Sequence, residues 1–309
     1  MSALHEIETL STAWPQPLRA ALLRCARGEV SANVALAQIF MAVDDSSEAR
    51  RALAEAAASC RHANSAEGAR RLADAAALWQ EHPSAFALVQ SVLQVERGGA
   101  DGHRRDVADW ANVFDRLSAI SPEAGVAIYS LGEPALLTAV TEEIAGWMRA
   151  RGLARPGDAV LDLGCGSGRF VRALAPDVGS IVGLDVSSGM IGAARALCAD
   201  IPNASLIVGS GRDLAPIADA SIDLVYAIDA FPYLVEIGAL AASHLRESAR
   251  VLKKGGTLLI LNYSYRGDLG RDRADIASLA AASGLKVLRN GTRDFALWDG
   301  LTFELQRGA

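Results

Sequence analysis

Three alternate glycines that follow a short apolar run are the residues with the clearest chemical meaning. The run Val160–Leu163 leads into Gly164, Gly166 and Gly168. Glycine lets the backbone turn tightly and approach a ligand with no side chain in between. Asp185 ends the next apolar run. A carboxylate about 20 residues beyond a glycine loop is where an α/β nucleotide site accepts the ribose hydroxyls. The pattern predicts a nucleoside site.

The spacing also distinguishes between nucleoside ligands. A dinucleotide fingerprint that begins at Gly164 and Gly166 needs its third glycine where this chain has Arg169. Asp162 stands at the mouth of the loop. A carboxylate there would repel a pyrophosphate but suits the ammonium group of an amino acid. The sequence therefore predicts a cationic nucleoside, not NAD.

Five motifs in order resemble the class I methyltransferases that use S-adenosylmethionine. They are LDLGCGSG at 161–168, VGLDVSSGM at 182–190, GSGRD at 209–213, SIDLVYAID at 221–229 and ARVLKKGGTLLI at 249–260. The resemblance covers roughly residues 121–309. It implies S-adenosylmethionine as cofactor, S-adenosylhomocysteine as product, and a Rossmann-like seven-stranded sheet whose last strand is antiparallel.

Length and composition narrow the class of protein. The chain has 309 residues, of which 51% are hydrophobic, so it can bury a substantial core. Its net charge of −6 disfavours a nucleic-acid partner, because such proteins present basic surfaces. The four cysteines form no C-x-x-C pair, and no residues have metal-ligand spacing. The sequence predicts neither a signal peptide nor an apolar run long enough to span a bilayer, so we expect a cytoplasmic protein that does not contact membranes.

The organisation of the chain changes near residue 100. Residues 1–103 read as an all-helical region, with a glycine-rich linker at 98–102, and residues 104–309 as the methyltransferase domain. Beyond residue 157, near-continuous Val, Ile and Leu runs alternate with helix patterns, which predicts a mostly parallel α/β sheet with helices on both faces. The N-terminal helices would serve as a lid, as a homodimer surface, or as both.

The resemblance implies a set of cofactor-binding residues. Asp162 would receive the ammonium group, Asp185 the ribose, and Tyr129 the methionine carboxylate. Val186 and Met190 would enclose the adenine. Ser210 stands where the family commonly has Asp, so either Asp213 or a backbone carbonyl would receive the adenine amine. The full set is Tyr129, Asp162, Gly164, Cys165, Gly166, Gly168, Asp185, Val186, Met190, Ser210, Gly211, Arg212, Asp213 and Asp229.

The methyl acceptor is expected at the loops after the fourth and fifth strands. Both loops carry aromatic and polar side chains, as a small-molecule pocket requires. The predicted acceptor-binding residues are Phe231, Tyr233, Asn262, Tyr263, Tyr265 and Arg266. The segment Asp229–Tyr233 lacks the Pro-Pro pattern of DNA amino-methylating enzymes, which further disfavours a nucleic-acid substrate.

Candidate general bases are few, and the reaction needs little base because a sulfonium is already a strong electrophile. His244, Asp229, Tyr263 and His103 are the candidates. The sequence favours an enzyme that methylates oxygen, nitrogen or carbon of a small molecule. Two alternatives stay open: a methyltransferase that acts on a protein or peptide, and a non-catalytic cofactor-binding protein on the same fold.

Overall fold

The computed structural model describes residues 14–98 and 105–308, and the contacts within them divide the chain into two units. The first unit comprises residues 14–98, 123–140 and 296–299. The second comprises residues 105–122, 141–295 and 300–308. His103 and residues 99–102 of the predicted linker lie outside the described residues.

The described helices and strands have the following bounds. The helices are α1 (Gln16–Arg27), α2 (Ala32–Ala42), α3 (Ser46–His62), α4 (Ala66–Glu81), α5 (Ala85–Arg97), α6 (Val107–Ile120), α7 (Pro122–Val126), α8 (Pro134–Ala150), α9 (Arg169–Leu174), α10 (Ser188–Leu197), α11 (Phe231–Glu236), α12 (Leu240–Val251) and α13 (Leu269–Ala282). The strands are β1 (Ala159–Leu163), β2 (Ser180–Asp185), β3 (Ala204–Val208), β4 (Ile222–Ile228), β5 (Leu252–Leu261), β6 (Leu285–Thr292) and β7 (Thr302–Arg307).

The first unit is helical, as its alanine- and leucine-rich sequence predicts. Two later segments fold with its helices through hydrogen bonds. Asn33 Nδ2 donates to the Tyr129 carbonyl at 3.0 Å and to the Leu297 carbonyl at 3.2 Å. Arg24 pairs with Asp299 at 2.9 Å. The first unit therefore includes residues from both sides of residue 103, and the lid or dimerisation role of its helices stays a prediction.

The second unit is built on a seven-stranded sheet with the order β3-β2-β1-β4-β5-β7-β6. Strands β1 to β5 pair in parallel, and β7 runs antiparallel to both β5 and β6. The predicted fold class is confirmed. Because the strand order reverses between β1 and β4, the crevice at their carboxyl ends is where an open α/β sheet binds ligands.

Two elements differ from the sequence prediction. The sequence pattern predicts one helix over 236–252, but the observed helix α12 begins only at Leu240, because Gly238 takes a left-handed conformation with φ of +52° between it and the short helix α11. The apolar run 297–305 predicts a strand, but the observed strand β7 begins only at Thr302, because residues 296–299 fold with the first unit. Trp298 lies in this segment, and its ring is 6.3 Å from that of Tyr129.

Candidate cofactor site

The glycine loop after β1 is held in a conformation that other residues rarely adopt. Gly164, Gly166 and Gly168 have φ of +77°, +52° and +80°. A Cβ on Gly164 would lie 2.5 Å from the Cβ of Ala230, and one on Gly168 would lie 2.9 Å from that of Ala194. The backbone conformation thus favours glycine at all three positions, and close packing also requires it at Gly164 and Gly168.

Replacing Gly164 by alanine is expected to destabilise the fold by about 1–3 kcal/mol, since the new methyl group overpacks the loop and the left-handed φ strains it. Gly192→Ala is the matched control. That glycine is exposed in α10 and has no neighbouring atom within 4 Å of an added Cβ. There alanine should stabilise by up to about 1 kcal/mol. Chemical denaturation measures both changes, and equal stabilities would contradict the packed loop.

Asp185 ends β2 and is tied to the glycine loop. Its carboxylate accepts hydrogen bonds from the Gly166 amide at 2.8 Å and the Ser187 amide at 2.9 Å. Burial raises the pKa of Asp185, although these backbone donors partly offset the shift. Each carboxylate oxygen keeps a second lone pair, so the group can still accept from ribose hydroxyls.

Asp162 lies on β1 at the switch point and is 2% exposed. Within the described residues its Oδ2 atom has no hydrogen-bond partner, and the same is true of the hydroxyl of Tyr226, its register partner on β4. Burial raises the pKa of Asp162 to about 8, an effect that the Tyr226 hydroxyl and the Arg169 guanidinium partly offset and the Asp185 carboxylate reinforces. A buried carboxylate oxygen of this kind is costly unless a donor reaches it.

The loop after β3 forms a closed turn. Ser210 Oγ donates to Asp213 Oδ1 at 3.0 Å and accepts from the Arg212 amide at 3.1 Å. Ser210 and Arg212 are exposed. A Cβ on Gly211 would lie 2.6 Å from Val107 and 3.1 Å from Val186, so two valines flank this glycine. The choice between Asp213 and a backbone carbonyl for the adenine amine stays open.

Two other predicted cofactor residues are interior. Met190 is buried in α10, and its amide donates to Ser187 Oγ at 3.0 Å. Cys165 is buried behind the loop, where a Cβ on Gly183 would lie 2.9 Å from its sulfur. Tyr129 is buried in the first unit, so its predicted contact with the cofactor stays a prediction.

The carboxyl ends of β4 and β5 each carry a residue in the left-handed region. Asp229 has φ of +56° and Asn262 has φ of +73°. Asn262 Nδ2 donates to Asp229 Oδ1 at 2.9 Å, and the Tyr265 hydroxyl donates to the same oxygen at 3.4 Å. Such backbone strain in non-glycine residues clusters at functional sites. The structure thus brings together three of the residues predicted to face the acceptor or the cofactor.

Four aromatic side chains, which we call the aromatic wall, lie beside Asp229 and Asn262. They are Trp110 and Phe114 of α6, Tyr233 of α11 and Tyr265. The Tyr233 ring lies 4.5 Å from that of Trp110, 5.1 Å from Phe114 and 6.0 Å from Tyr265, in edge-to-face contacts. Tyr265 is 57% exposed. The sequence analysis did not identify Trp110 and Phe114 as site residues, although their spacing of four residues places both on one face of a helix.

The other three predicted acceptor-binding residues, Phe231, Tyr263 and Arg266, are buried in the core or form ion pairs. Phe231 and Tyr263 are buried in the core with their rings 6.1 Å apart, and burial raises the pKa of Tyr263 to about 12. Arg266 forms ion pairs with Asp272 at 2.6 Å and Asp275 at 2.7 Å. Tyr263 therefore stays protonated at neutral pH, and the direct contacts predicted for these three residues stay predictions.

His244 is buried in α12, and its Nδ1 donates to the Leu240 carbonyl at 3.0 Å. Burial lowers its pKa below the ordinary value, so the imidazole is neutral at pH 7. These contacts favour a structural role, and a role as general base stays a prediction. Within the described residues, no three His, Cys, Asp or Glu side chains are grouped to hold a metal ion.

The donor and acceptor set at this edge of the sheet fits S-adenosylmethionine. The Oδ2 atom of Asp162, which has no hydrogen-bond partner among the described residues, can accept from an ammonium group. The Asp185 carboxylate can accept from two ribose hydroxyls, and the valines beside Gly211 can pack against an adenine ring. Residues 161–260 match the family model described as a methyltransferase domain. Residues 161–260 are thus similar to a methyltransferase domain, and the sheet order and the glycine loop of the second unit agree with that similarity.

Relatives match the chain over part of their length. It is 32% identical over 114 residues to a 2-methyl-6-phytyl-1,4-hydroquinone methyltransferase of Synechocystis sp., covering 37% of this chain and 34% of that protein. It is 38% identical over 110 residues to a demethylmenaquinone methyltransferase of Corynebacterium kroppenstedtii, covering 36% and 44%. The chain thus spans less than half the length of either relative.

A solved complex of the Haloferax volcanii Trm112 methyltransferase activator with a methyltransferase has 25% identity and a TM-score of 0.46, covering 63% of this chain and 98% of that one.

Among the helices of residues 14–98 and 105–308, none combines the length and apolar character that a bilayer-spanning segment needs.

Proposed function

We propose that this protein transfers the methyl group of S-adenosylmethionine to an oxygen, nitrogen or carbon of a small molecule and releases S-adenosylhomocysteine. The observation that carries the proposal is the pair of carboxylates, Asp162 and Asp185, on either side of a glycine loop at the switch point of the sheet. When bound, the cofactor supplies an electrophilic methyl group on a sulfonium.

The residues of the chain bind and orient the cofactor. Asp162 holds the ammonium group, and Asp185 holds the ribose while keeping its hydrogen bond to the Gly166 amide. The glycines let the backbone approach the methionyl part without steric obstruction. Positioning in a site that excludes water supplies most of the rate in this proposal, because the methyl group on a sulfonium is already strongly electrophilic.

A small ring compound is the acceptor class that the site supports best. The aromatic wall offers ring edges and faces, and Asp229 offers a hydrogen-bond acceptor 3.4 Å from the Tyr265 hydroxyl. The two curated relatives are methyltransferases named for a hydroquinone and a demethylmenaquinone, which supports the same class. Dimerisation through the N-terminal helices and a cytoplasmic location stay predictions.

The test is detection of S-adenosylhomocysteine release with a panel of hydroquinones, phenols and amines, and with a pool of peptides in a parallel series. Turnover with ring compounds alone supports the proposal. Turnover only with peptides would replace it with the polypeptide alternative. Cofactor binding without turnover on any acceptor would favour the non-catalytic alternative.

Tyr233→Ala is expected to raise the KM for the acceptor about tenfold, since it removes the ring at the centre of the aromatic wall. The Kd for S-adenosylhomocysteine should not change. Tyr233→Phe keeps the ring and is the matched control, with a KM near that of the wild type. Steady-state kinetics and calorimetry separate the two quantities, and a loss of cofactor affinity in Tyr233→Ala would contradict the assignment.

A further inference from the structure

Helix α6 is joined to the amino end of α10 by one carboxylate. Asp115 Oδ1 accepts from Ser187 Oγ at 2.6 Å and from the Gly189 amide at 2.8 Å. The Ser188 hydroxyl lies 3.4 Å from Asp115 Oδ2. Burial alone would raise the pKa of Asp115, but the bonds from these donors bring it below its ordinary value. Asp115 is therefore ionised at neutral pH, which strengthens each bond.

Ser187 links Asp115 to Asp185, the carboxylate proposed to bind the ribose. Ser187 is fully buried, and its Oγ accepts from the Met190 amide, so its single proton is given to Asp115. The Ser187 amide donates to Asp185 Oδ1, and the Gly166 amide donates to Asp185 Oδ2. A continuous chain of hydrogen bonds thus runs from α6 to the glycine loop.

Two close approaches show that α6 is fitted to the cofactor loops along its length. A Cβ on Gly189 would clash with the Ser118 hydroxyl, so the amino end of α10 needs a glycine against α6. At the first turn of α6, Val107 lies 2.6 Å from where a Cβ on Gly211 would be, beside Val186. One helix therefore contacts the loops after both β2 and β3, which are the predicted ribose and adenine loops.

We propose that Asp115 is a positioning residue for the adenosine half of the cofactor site: by holding Ser187 and α6 in place, it orients Asp185 toward the ribose and seats Val107 over the adenine loop. This inference rests on the proposed function. In this proposal Asp115 acts on the cofactor only through Ser187 and α6.

A double-mutant cycle in the full-length protein tests the assignment. Affinities for S-adenosylhomocysteine are measured by calorimetry for the wild type, Asp115→Ala, Ser187→Ala and the double variant. Asp115→Ala is expected to weaken binding about fivefold to tenfold, from lost hydrogen bonds that orient the carboxylate. In the Ser187→Ala background the same substitution should cost less than about twofold, because the link is already broken. Asp115→Asn keeps an acceptor oxygen and should restore most of the affinity.

Two further measurements exclude a merely structural role. Asp109→Ala breaks the exposed capping box of α6, where Asp109 accepts from the Asp106 amide at 2.8 Å, so it lowers stability without touching Ser187. It should leave affinity within about twofold of the wild type. 5′-Methylthioadenosine lacks the amino-acid part of the cofactor, and Asp115→Ala should weaken it by the same factor as S-adenosylhomocysteine.

The outcomes separate this inference from the proposed function. Equal losses in both backgrounds, a loss confined to S-adenosylhomocysteine, or an equal loss in Asp109→Ala would each overturn the role of Asp115 while leaving the cofactor site intact. If Asp115→Ala does not fold, Ser187→Ala breaks the same bond from the other side and must weaken both ligands alike. Failure of the wild type to bind S-adenosylhomocysteine would overturn the proposed function, and the inference with it.

Discussion

Asp162→Asn is expected to weaken S-adenosylmethionine binding by about one to two orders of magnitude, because it replaces a buried carboxylate with a neutral amide opposite the ammonium group. The same substitution should stabilise the cofactor-free protein at alkaline pH. If one substitution weakens binding and raises stability, the charge of that residue is needed to bind the ligand and not to stabilise the fold.

The sign of the stability effect follows from the pKa of Asp162. Burial raises that pKa to about 8 in the folded protein, against an ordinary value of 3.8. The folded state then holds a proton that the unfolded state has released, so the wild type loses stability as the pH rises from about 4 to about 8. The loss approaches about 1.4 kcal/mol per pH unit, and an asparagine at this position does not share it.

Denaturation midpoints of the two proteins between pH 4 and pH 8.5 measure this difference, and the effects of titrating groups that do not interact with Asp162 cancel in the comparison. The two proteins should be most alike near pH 4, and Asp162→Asn should become increasingly more stable than the wild type as the pH rises toward 8. Parallel pH profiles would show that Asp162 is not held in a desolvated site. A collapsed circular-dichroism spectrum for Asp162→Asn would mean that the residue is mainly structural.

Asp185→Ala is expected to reduce cofactor affinity by about 1.5–3 kcal/mol, since the ribose hydroxyls lose their charged acceptors. The substitution also leaves the Gly166 and Ser187 amides without the carboxylate to which they now donate. Some loss of stability should therefore accompany the loss of affinity. Calorimetric titration with S-adenosylhomocysteine gives the first quantity and chemical denaturation the second.

Asp200→Ala is the matched control for Asp185→Ala. Its carboxylate is exposed and pairs only at the surface with Arg172 at 2.7 Å, so cofactor affinity should not change. Asp185→Asn, which preserves the shape of the side chain, separates the loss of charge from the loss of packing. If Asp185→Ala bound the cofactor with the affinity of the wild type, Asp185 would not be the residue that binds the ribose.

The sequence was most informative where one local segment defines the geometry. The run from Asp162 to Gly168 contains a strand, a tight turn and a helix start within a few residues, so both its conformation and its place in the sheet could be predicted. Asp185 was predictable for the same reason, because the strand that it ends must pair beside β1. The mostly parallel sheet followed from apolar runs that are buried on both faces.

The sequence was least informative where distant segments meet. The helical period of residues 104–119 predicts the helix observed as α6, but nothing in that stretch shows that Asp115 contacts Ser187 or that Trp110 contacts Tyr233. Such contacts depend on how the chain returns across the sheet. Similarly, the segment 296–299 has the apolar character of a strand, yet its hydrogen bonds to Asn33 and Arg24 direct it elsewhere.

Aromatic residues after strands were also hard to separate into pocket and core. Phe231 and Tyr233 are two residues apart on a short helix, and only the second joins the aromatic wall. For Arg266 a signal was available, because Asp272 and Asp275 stand one turn apart on the next helix and are well placed to pair with it.

Isothermal titration of the wild-type protein with S-adenosylmethionine and S-adenosylhomocysteine shows directly whether the protein binds the cofactor. We expect one saturable site per chain for each ligand, with a melting temperature that rises as ligand is added. Absence of both heat and thermal shift at millimolar ligand would contradict a cofactor site at the glycine loop.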